Sequence, residues 1–441
     1  MKQSKHNIYY SPKEVRTILE RSIDTALDGL KCYCNDPVSD FTRCRKLPAR
    51  TLIECIMSFS NYSSIGELSH FFEGRGKMPS ASALSQRRKL LDPDIFKRIN
   101  NLFVSAFDDY TTINGYHILA QDGSDVNIPF MDDKTKTEKH DAKSFCQYHV
   151  NALYDCLNKV FYDWSIDAAS KKREVNALIS ILKDRNYPHN SIFTADRGYE
   201  SYNLMAHFIE NDIKFVIRVK DIHTKVGLMT NVRTEEGAFD MRISRTLTSL
   251  QTKEIKADKE KYIFVPTTSN FDFLDETRVF YDLSFRAVRF KISEDVYETV
   301  VTNLSEEEFG TDDFKELYHY RWNEETAFNK LKYTIGLVYF HARKRKLIQQ
   351  EINAAFLMYN VSEVIIRNID LKKDKKLKLE YDYKPNFSSA VTNIRLYLRK
   401  KINMKELILR IKKFLVPQRP ERSFERNIKG QACKPLNYRT S

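Results

Sequence analysis

The sequence predicts an α/β protein: a mixed β-sheet with flanking helices, preceded by a helical N-terminal region and interrupted by a second β-rich block. Three observations carry this. Residues 116–220 alternate short apolar runs with helical patterns, residues 10–110 keep apolar residues at helical spacing, and residues 222–305 return to strand-like runs before the helices resume. The chain has 441 residues, 42% of them apolar, enough for two or three domains with a sizeable core. Its 12 glycines are under half the usual ~7% share, so flexible linkers are not expected.

In the N-terminal region, "ARTLIECIMSF" has helical spacing and "SIGELSHFFEG" ends at Gly74 and Gly76 as a helix should. After the turn "RGKMPSAS" comes "ASALSQRRKLL", with Gln86, Arg87, Arg88 and Lys89 together on it. Helix, short turn and basic helix make a helix-turn-helix pattern that would read DNA; the plainer alternative is a helical hairpin with a solvated basic face. Between 116 and 220 the expected strands are "YHILAQ", "QYHVNALYD" and "KVFYDWSID". A helix through "KREVNALISILKD", the strand "SIFTA", a helix "YESYNLMAHFIEN" and the strand "KFVIRVK" follow. The β-rich block contributes "KYIFVPTT", "TRVFYDLSFRAVRFKI" and "YETVVTNL", and residues 345–369 form a strongly apolar helix.

Charge is unevenly placed. Residues 371–441 hold 20 Lys/Arg against 6 Asp/Glu, whereas the remainder holds 52 against 53, so the whole +13 excess lies in the C-terminal sixth. Such a field suits a polyanion, nucleic acid above all; the alternative is a solubilising tail. No apolar run reaches the ~20 residues of a membrane span, and "MKQSKHNIYY" lacks the apolar centre of a signal peptide, so a cytoplasmic protein is expected. Seven scattered cysteines fit reduced thiols, and Cys32, Cys34 and Cys44 lack a fourth ligand at familiar zinc spacing.

Two aspartates are expected at strand ends, Asp122 before Gly123 in "HILAQDGSDVNIP" and Asp196 before Arg197-Gly198 in "SIFTADRGYES". Each alone fits ordinary turn chemistry. Adjacent strands would bring the two carboxylates together, which requires a cation between them. The stretch "YHYRWNEETAFNKLK" supplies more. On a regular helix Tyr318, Arg321, Glu325 and Lys332 fall within roughly 60° of one another along about 21 Å. They border the apolar stripe of Phe314, Leu317, Phe328, Leu331 and Ile335. Glu324 projects about 100° away on such a helix and is the weaker candidate. Asp122, Asp196 and Glu325 are therefore the expected metal ligands for Mg²⁺. Two ions, with Mn²⁺ as a substitute, would serve an in-line phosphoryl displacement. Arg321 and Lys332 would grip phosphates, and Tyr318 would donate to one. A salt-bridged helix explains Arg321 with Glu325 but neither Tyr318 nor Lys332.

The same residues resemble the Y-x2-R-x3-E-x6-K signature of bacterial insertion-sequence transposases of the DDE class, the IS-four family, matched by Tyr318, Arg321, Glu325 and Lys332 without a gap. "QDGSDVNIP" and "ADRGYES" followed by "FVIRVK" resemble that family's two aspartate segments, and the likeness runs from about residue 40 to 345. It implies a ribonuclease H-like catalytic core in two parts, 113–221 and 309–370, around a β-rich insertion, 222–308. A helical DNA-binding region, 1–112, would precede it and a basic C-terminal region, 371–441, would follow. It also implies catalytic Asp122, Asp196 and Glu325, and DNA contacts near the cleaved end from Tyr318, Arg321 and Lys332. The implied activity is cut-and-paste transposition: metal-dependent cleavage and strand transfer at terminal inverted repeats, by a homodimer on paired double-stranded DNA ends, with a hairpin intermediate. One departure stands out. Some relatives stack a tryptophan of the insertion strand on a flipped base, but here that strand has only Tyr297, so base flipping is not carried over. The competing readings are a ribonuclease H-like nuclease without strand transfer and an inactive transposase-derived DNA-binding regulator.

Overall fold

In the computed structural model, residues 1–4, 9–43, 46–139, 142–169, 174–222, 224, 226–269, 271–294, 296–370 and 382–418 are described. Strand β1 (Gln3–Ser4) pairs antiparallel with β2 (Thr112–Ile113), and between them run α1 (Pro12–Asp28), α2 (Ala49–Met57), α3 (Ser64–Phe72), α4 (Ala81–Leu90) and α5 (Asp94–Val104). Local chemistry sets their starts. Ser11 and Glu14 form a reciprocal capping box on α1, while Ser63 and Ser80 cap α3 and α4 through their hydroxyls.

Ten strands then build one mixed sheet. They are β3 (His117–Ile128), β4 (Lys136–Lys139), β5 (Ala142–Asp155), β6 (Val160–Ala168), β7 (Ser191–Ala195), β8 (Lys214–Val219), β9 (Phe239–Thr248), β10 (Tyr262–Phe264), β11 (Phe280–Ser293) and β12 (Val296–Thr302). Their order is β10-β9-β11-β12-β8-β7-β3-β5-β4, with β6 also paired to β5. β3, β5 and β6 are the expected antiparallel meander; β7 and β8 run parallel to β3, each entered through a helix, α6 (Glu174–Asp184) and α7 (Tyr202–Glu210). The second β-rich block forms no sheet of its own. β12 pairs antiparallel with β8, so β9 to β12 extend the central sheet sideways, with the short α8 (Lys253–Ala257) between β9 and β10. β9 is not among the expected strands, because the buried Arg245 stands at an inward position and breaks the alternation of "FDMRISRTLT".

After β12 the chain forms α9 (Asp313–His319), α10 (Trp322–Asn329) and a π-helical turn, Lys330–Ile335, closed by Gly336 at φ 118°. α11 (Arg345–Arg367) is the central post. It touches α1, α2, α4 and α5 from the helical region and β6 of the sheet, and Trp164 of β6 stacks on its Phe356 with ring centroids 4.4 Å apart. α12 (Phe387–Leu398) packs on α11 and on the π turn, α13 (Met404–Lys413) packs on α12, and β13 (Asp382–Pro385) pairs antiparallel with β14 (Leu415–Gln418). The C-terminal basic region thus includes a folded part with a core of Val391, Ile394, Leu407 and Ile411. Residues 371–381 and 419–441 of it lie outside the described residues. No described helix is long and apolar enough to cross a membrane.

Candidate active site

Parallel register brings the two aspartates together. β3 and β7 pair from His117 with Ser191 to Gln121 with Ala195, so Asp122 and Asp196 are the next residue on each strand. Neighbouring strands lie roughly 5 Å apart and residues in parallel register share a face, so the two carboxylates stand side by side where β7 ends. The expectation that β3 ends at Asp122 does not hold. The strand runs on to Ile128, pairing with β5 through Gly123 opposite Asn151, and only its β7 edge is open beyond Gln121. Asp122 accepts the Gly123 N–H at 2.8 Å, and Asp196 accepts the Gly198 N–H at 2.8 Å. Burial, with Asp196 and Glu174 adding, raises the Asp122 carboxyl to about 6 against the pull of the Gly123 N–H and Arg321.

The third contributor is not one regular helix. Between α9 and α10 the backbone tightens, with N–H groups of Arg321, Asn323 and Glu324 bonded to carbonyls three residues back at 3.0–3.1 Å. A 3₁₀ turn advances about 120° per residue, so three residues bring Glu324 back into line with Arg321 and swing Glu325 away from it. Glu324 is accordingly 0% exposed, and burial followed by the charge of Asp122 holds its carboxyl well above the usual range, against the pull of Arg321 and the Asp122 N–H. Glu325, one residue on, is half-buried.

Of the cations of the stripe, Arg321 is buried and Lys332 half-buried. Arg321 is 8% exposed, donates from Nε to the Tyr318 hydroxyl at 3.2 Å, and lies over the Tyr318 and Trp322 rings at 5.5 and 5.4 Å. Burial opposes its charge, but Tyr318, Asp122 and Asp196 outweigh it. Lys332 is pulled below its ordinary value by burial, with Asp125 and Asp122 partly offsetting this. Tyr318 itself is 2% exposed and supports Arg321 from behind.

Sequence reasoning passed over a second group beside this one. His149 of β5 places Nδ1 2.8 Å from Asp125 and Nε2 3.1 Å from Glu174 at the start of α6, the latter an ion-pair distance without hydrogen-bond alignment. Burial would lower the imidazole, but its two carboxylate partners raise it to about 9. A Cβ on Gly123 would stand 2.3 Å from His149 Nε2, so this glycine makes room for the ring rather than for a turn. The alternation of β3 and β5 was the available signal: with Asp122 opposite Ala152, Asp125 must face His149.

The basic row on α4 is corrected in part. Arg88 is 3% exposed and bonds Glu351 and the Leu347 carbonyl of α11, each at 2.7 Å, so it faces the interior together with Leu84. Four consecutive helical residues cannot share one face. Arg87 donates to the Leu47 carbonyl and covers the Phe41 ring, Lys89 is half-buried, and Gln86 is exposed.

Among known protein families, the one described as Transposase DDE domain matches residues 113–361, more than half of the chain. The chain belongs to this family. The DDE domain so matched spans the sheet from β3 onward, both aspartates, and the helices through most of α11. No curated protein is significantly similar to the chain. A cryo-EM structure of a piggyBac transposase synaptic complex with hairpin DNA aligns over 96% of this chain and 90% of that one, at 12% identity and TM-score 0.44, a likeness too distant to argue from.

DDE transposase domains generally use divalent metal ions. The donors fit in kind: Asp122 and Asp196 are hard oxygen ligands at one strand end, and two more carboxylates, Glu324 and Glu325, stand on the helix that brings Arg321 to them. Among the described residues no three His, Cys, Asp or Glu side chains are already gathered round one point, so the fit lies in donor type and placement.

Proposed function

We propose that the chain is a cut-and-paste transposase, acting as a homodimer on paired inverted-repeat ends in the bacterial cytoplasm, with a ribonuclease H-like core of the IS-four kind. The single observation that supports this best is the register that sets Asp122 beside Asp196 at the open end of β7, with Arg321 coupled to both. Asp122, Asp196 and Glu325 would hold two Mg²⁺ ions. Glu325 is assigned the third place on the signature spacing and its partial exposure, although the tight turn sets the buried Glu324 nearer the aspartates. When bound, such ions supply an activated water and counter-charge for the leaving oxygen of an in-line displacement.

The chain's own residues do the rest. Asp122 is ionised above about pH 6, which completes the donor set at neutral pH. Arg321, held in place by Tyr318 and Trp322, presents its guanidinium at the carboxylates, where a phosphate of the cut strand would lie; Lys332 adds a point charge on the Asp125 side. On α4, Gln86 and Lys89 are the residues left to meet DNA. The test is to incubate the protein with labelled end DNA, a target plasmid and Mg²⁺. Joined end–target products are expected. Cleavage without joining would leave a nuclease, and binding without cleavage a regulator.

A further inference from the structure

The helical region, α11 and α12 enclose a cleft that the proposed reaction does not use. It measures about 510 Å³ with its open side, a size in the range of small-molecule pockets. Its floor is apolar: Leu19, Ile23, Met57, Phe71 and Met358 are all buried. Its wall is cationic, with Arg16, Arg75, Arg395 and Arg399 set against two carboxylates, Glu20 and Glu54.

Those carboxylates are already shared out. Glu54 lies 3.1 Å from Arg50 and 3.6 Å from Arg75, and Glu20 lies 3.9 Å from both Arg16 and Lys400. Among the described residues neither Arg395 nor Arg399 has a carboxylate at ion-pair distance; backbone carbonyls hold them instead. Arg395 donates from Nη2 to Ile335 at 3.0 Å, while Arg399 donates from Nη1 to His70 at 2.9 Å and from Nε to Arg395 at 3.3 Å. The Arg395 Nε is sealed from solvent with no hydrogen-bond partner. Arg75 joins the group by donating to the Arg399 carbonyl at 3.2 Å.

A cation withdrawn from water and left with neutral acceptors is costly, and a second cation beside it adds repulsion. Burial lowers Arg395 to about 10, with Arg399 adding to this and Glu67 opposing it; Arg399 is lowered by burial and then by Arg75. Turning either guanidinium out to water would break the carbonyl bonds that fix it. An anion in the cleft corrects the imbalance directly. Guanidinium forks suit a carboxylate or phosphate head, and the floor beneath them suits hydrocarbon.

We propose that this cleft binds a small organic anion, its charged head on Arg395 and Arg399 and a compact apolar body on the floor of Leu19, Ile23, Met57, Phe71 and Met358. A bare inorganic anion would leave that floor in water, and a neutral hydrocarbon would leave the guanidiniums uncompensated. The inference is independent of the metal-dependent reading of Asp122 and Asp196.

The experiment is an NMR titration of the full-length, DNA-free protein carrying ¹³C at its methionine methyl groups, with phenylacetate as the probe. Of the nine methionines, Met57 and Met358 line the cleft, and Met57→Leu and Met358→Leu identify their signals. Phenylacetate should shift these two saturably and leave the others in place. Acetate and benzyl alcohol, at matched ionic strength, should each bind at least about tenfold more weakly, because each lacks half of the ligand. Arg399→Gln should weaken phenylacetate at least about tenfold, as loss of a charge-assisted hydrogen bond does. No saturable shift, or unchanged affinity in Arg399→Gln, would overturn the proposal. So would benzyl alcohol binding as well as phenylacetate, which would make the cleft merely apolar, or acetate doing so, which would make it merely cationic. Should Arg399→Gln fail to fold, the three probes on the wild type decide.

Discussion

Gly123 stands inside a strand, where glycine ordinarily weakens pairing, because the His149 ring occupies the space a Cβ would need. Gly123→Ala should therefore push the imidazole off Asp125 and Glu174 and lower stability by about 1–3 kcal/mol, as overpacking does. Urea unfolding measures this, and an unchanged midpoint would mean that the ring moves aside freely. The acidic residues make a sharper case. Asp122→Asn, Asp196→Asn and Glu325→Gln should each reduce single-turnover cleavage by orders of magnitude while leaving end binding largely intact, because each removes a metal-binding charge at constant shape. Glu324→Gln should cleave at close to the wild-type rate, since the signature spacing falls on Glu325 and burial raises the Glu324 carboxyl, so an amide of the same shape changes little there. Loss with Glu324→Gln and retention with Glu325→Gln would move the third carboxylate one residue back.

Among the elements, those with clean periodicity were legible: the meander of β3, β5 and β6, the strands β7 and β8, the helices α6 and α7, and the apolar α11. That Asp122 and Asp196 come together at one strand end was legible because each follows an apolar run and stands within two residues of a glycine. Illegible were the features that depend on a tertiary partner. The tight turn at Arg321 has no local breaker to announce it, and with it Glu324 is buried and Glu325 half-buried. The inward Arg245 hid β9, and Arg88 read as a surface cation because its partner, Glu351, is 263 residues away. That last contact belongs to a network joining α3, α4 and α11. His341 Nδ1 lies 3.2 Å from Glu351 and its Nε2 3.4 Å from Glu67, while Arg88 holds the other Glu351 oxygen and Arg395 faces Glu67 from α12. Arg88→Ala should cost about 3–5 kcal/mol, as stranding a buried charge does, without changing DNA affinity. Weaker end binding at full stability would restore Arg88 to a DNA-contacting role. Burial would lower the His341 imidazole, but Glu351 and Glu67 raise it to about 9. A raised folded-state value means that its stabilisation is complete below about 6.5 and fades as pH rises through about 9. The stability lost in His341→Gln should thus be largest at pH 6 and nearly gone by pH 10. Chemical denaturation across that range tests it, and a pH-independent loss would contradict it.

Over the whole molecule, one continuous sheet and the post of α11 join the helical region, the strands that carry Asp122 and Asp196, and the β-rich block, so positions far apart in sequence share one frame. The folded α12–α13 pair restricts the search for a polyanion-binding tail to its end. Residues 419–441 carry six Lys/Arg against two Asp/Glu. Their removal should weaken binding to all DNA alike and flatten the salt dependence by as much as about 5 in slope, at about 0.9 per neutralised phosphate. An unchanged slope would make the segment merely solubilising. The central claim is that Asp122 and Asp196, set side by side by the register of β3 and β7, form a metal-dependent DNA-cleaving site. Single-turnover cleavage of labelled end DNA by wild type and Asp122→Asn, each with Mg²⁺ and with chelator, tests it most directly. The account predicts cutting by the wild type with Mg²⁺ alone; near-wild-type cutting by Asp122→Asn, or cutting in chelator, would contradict it.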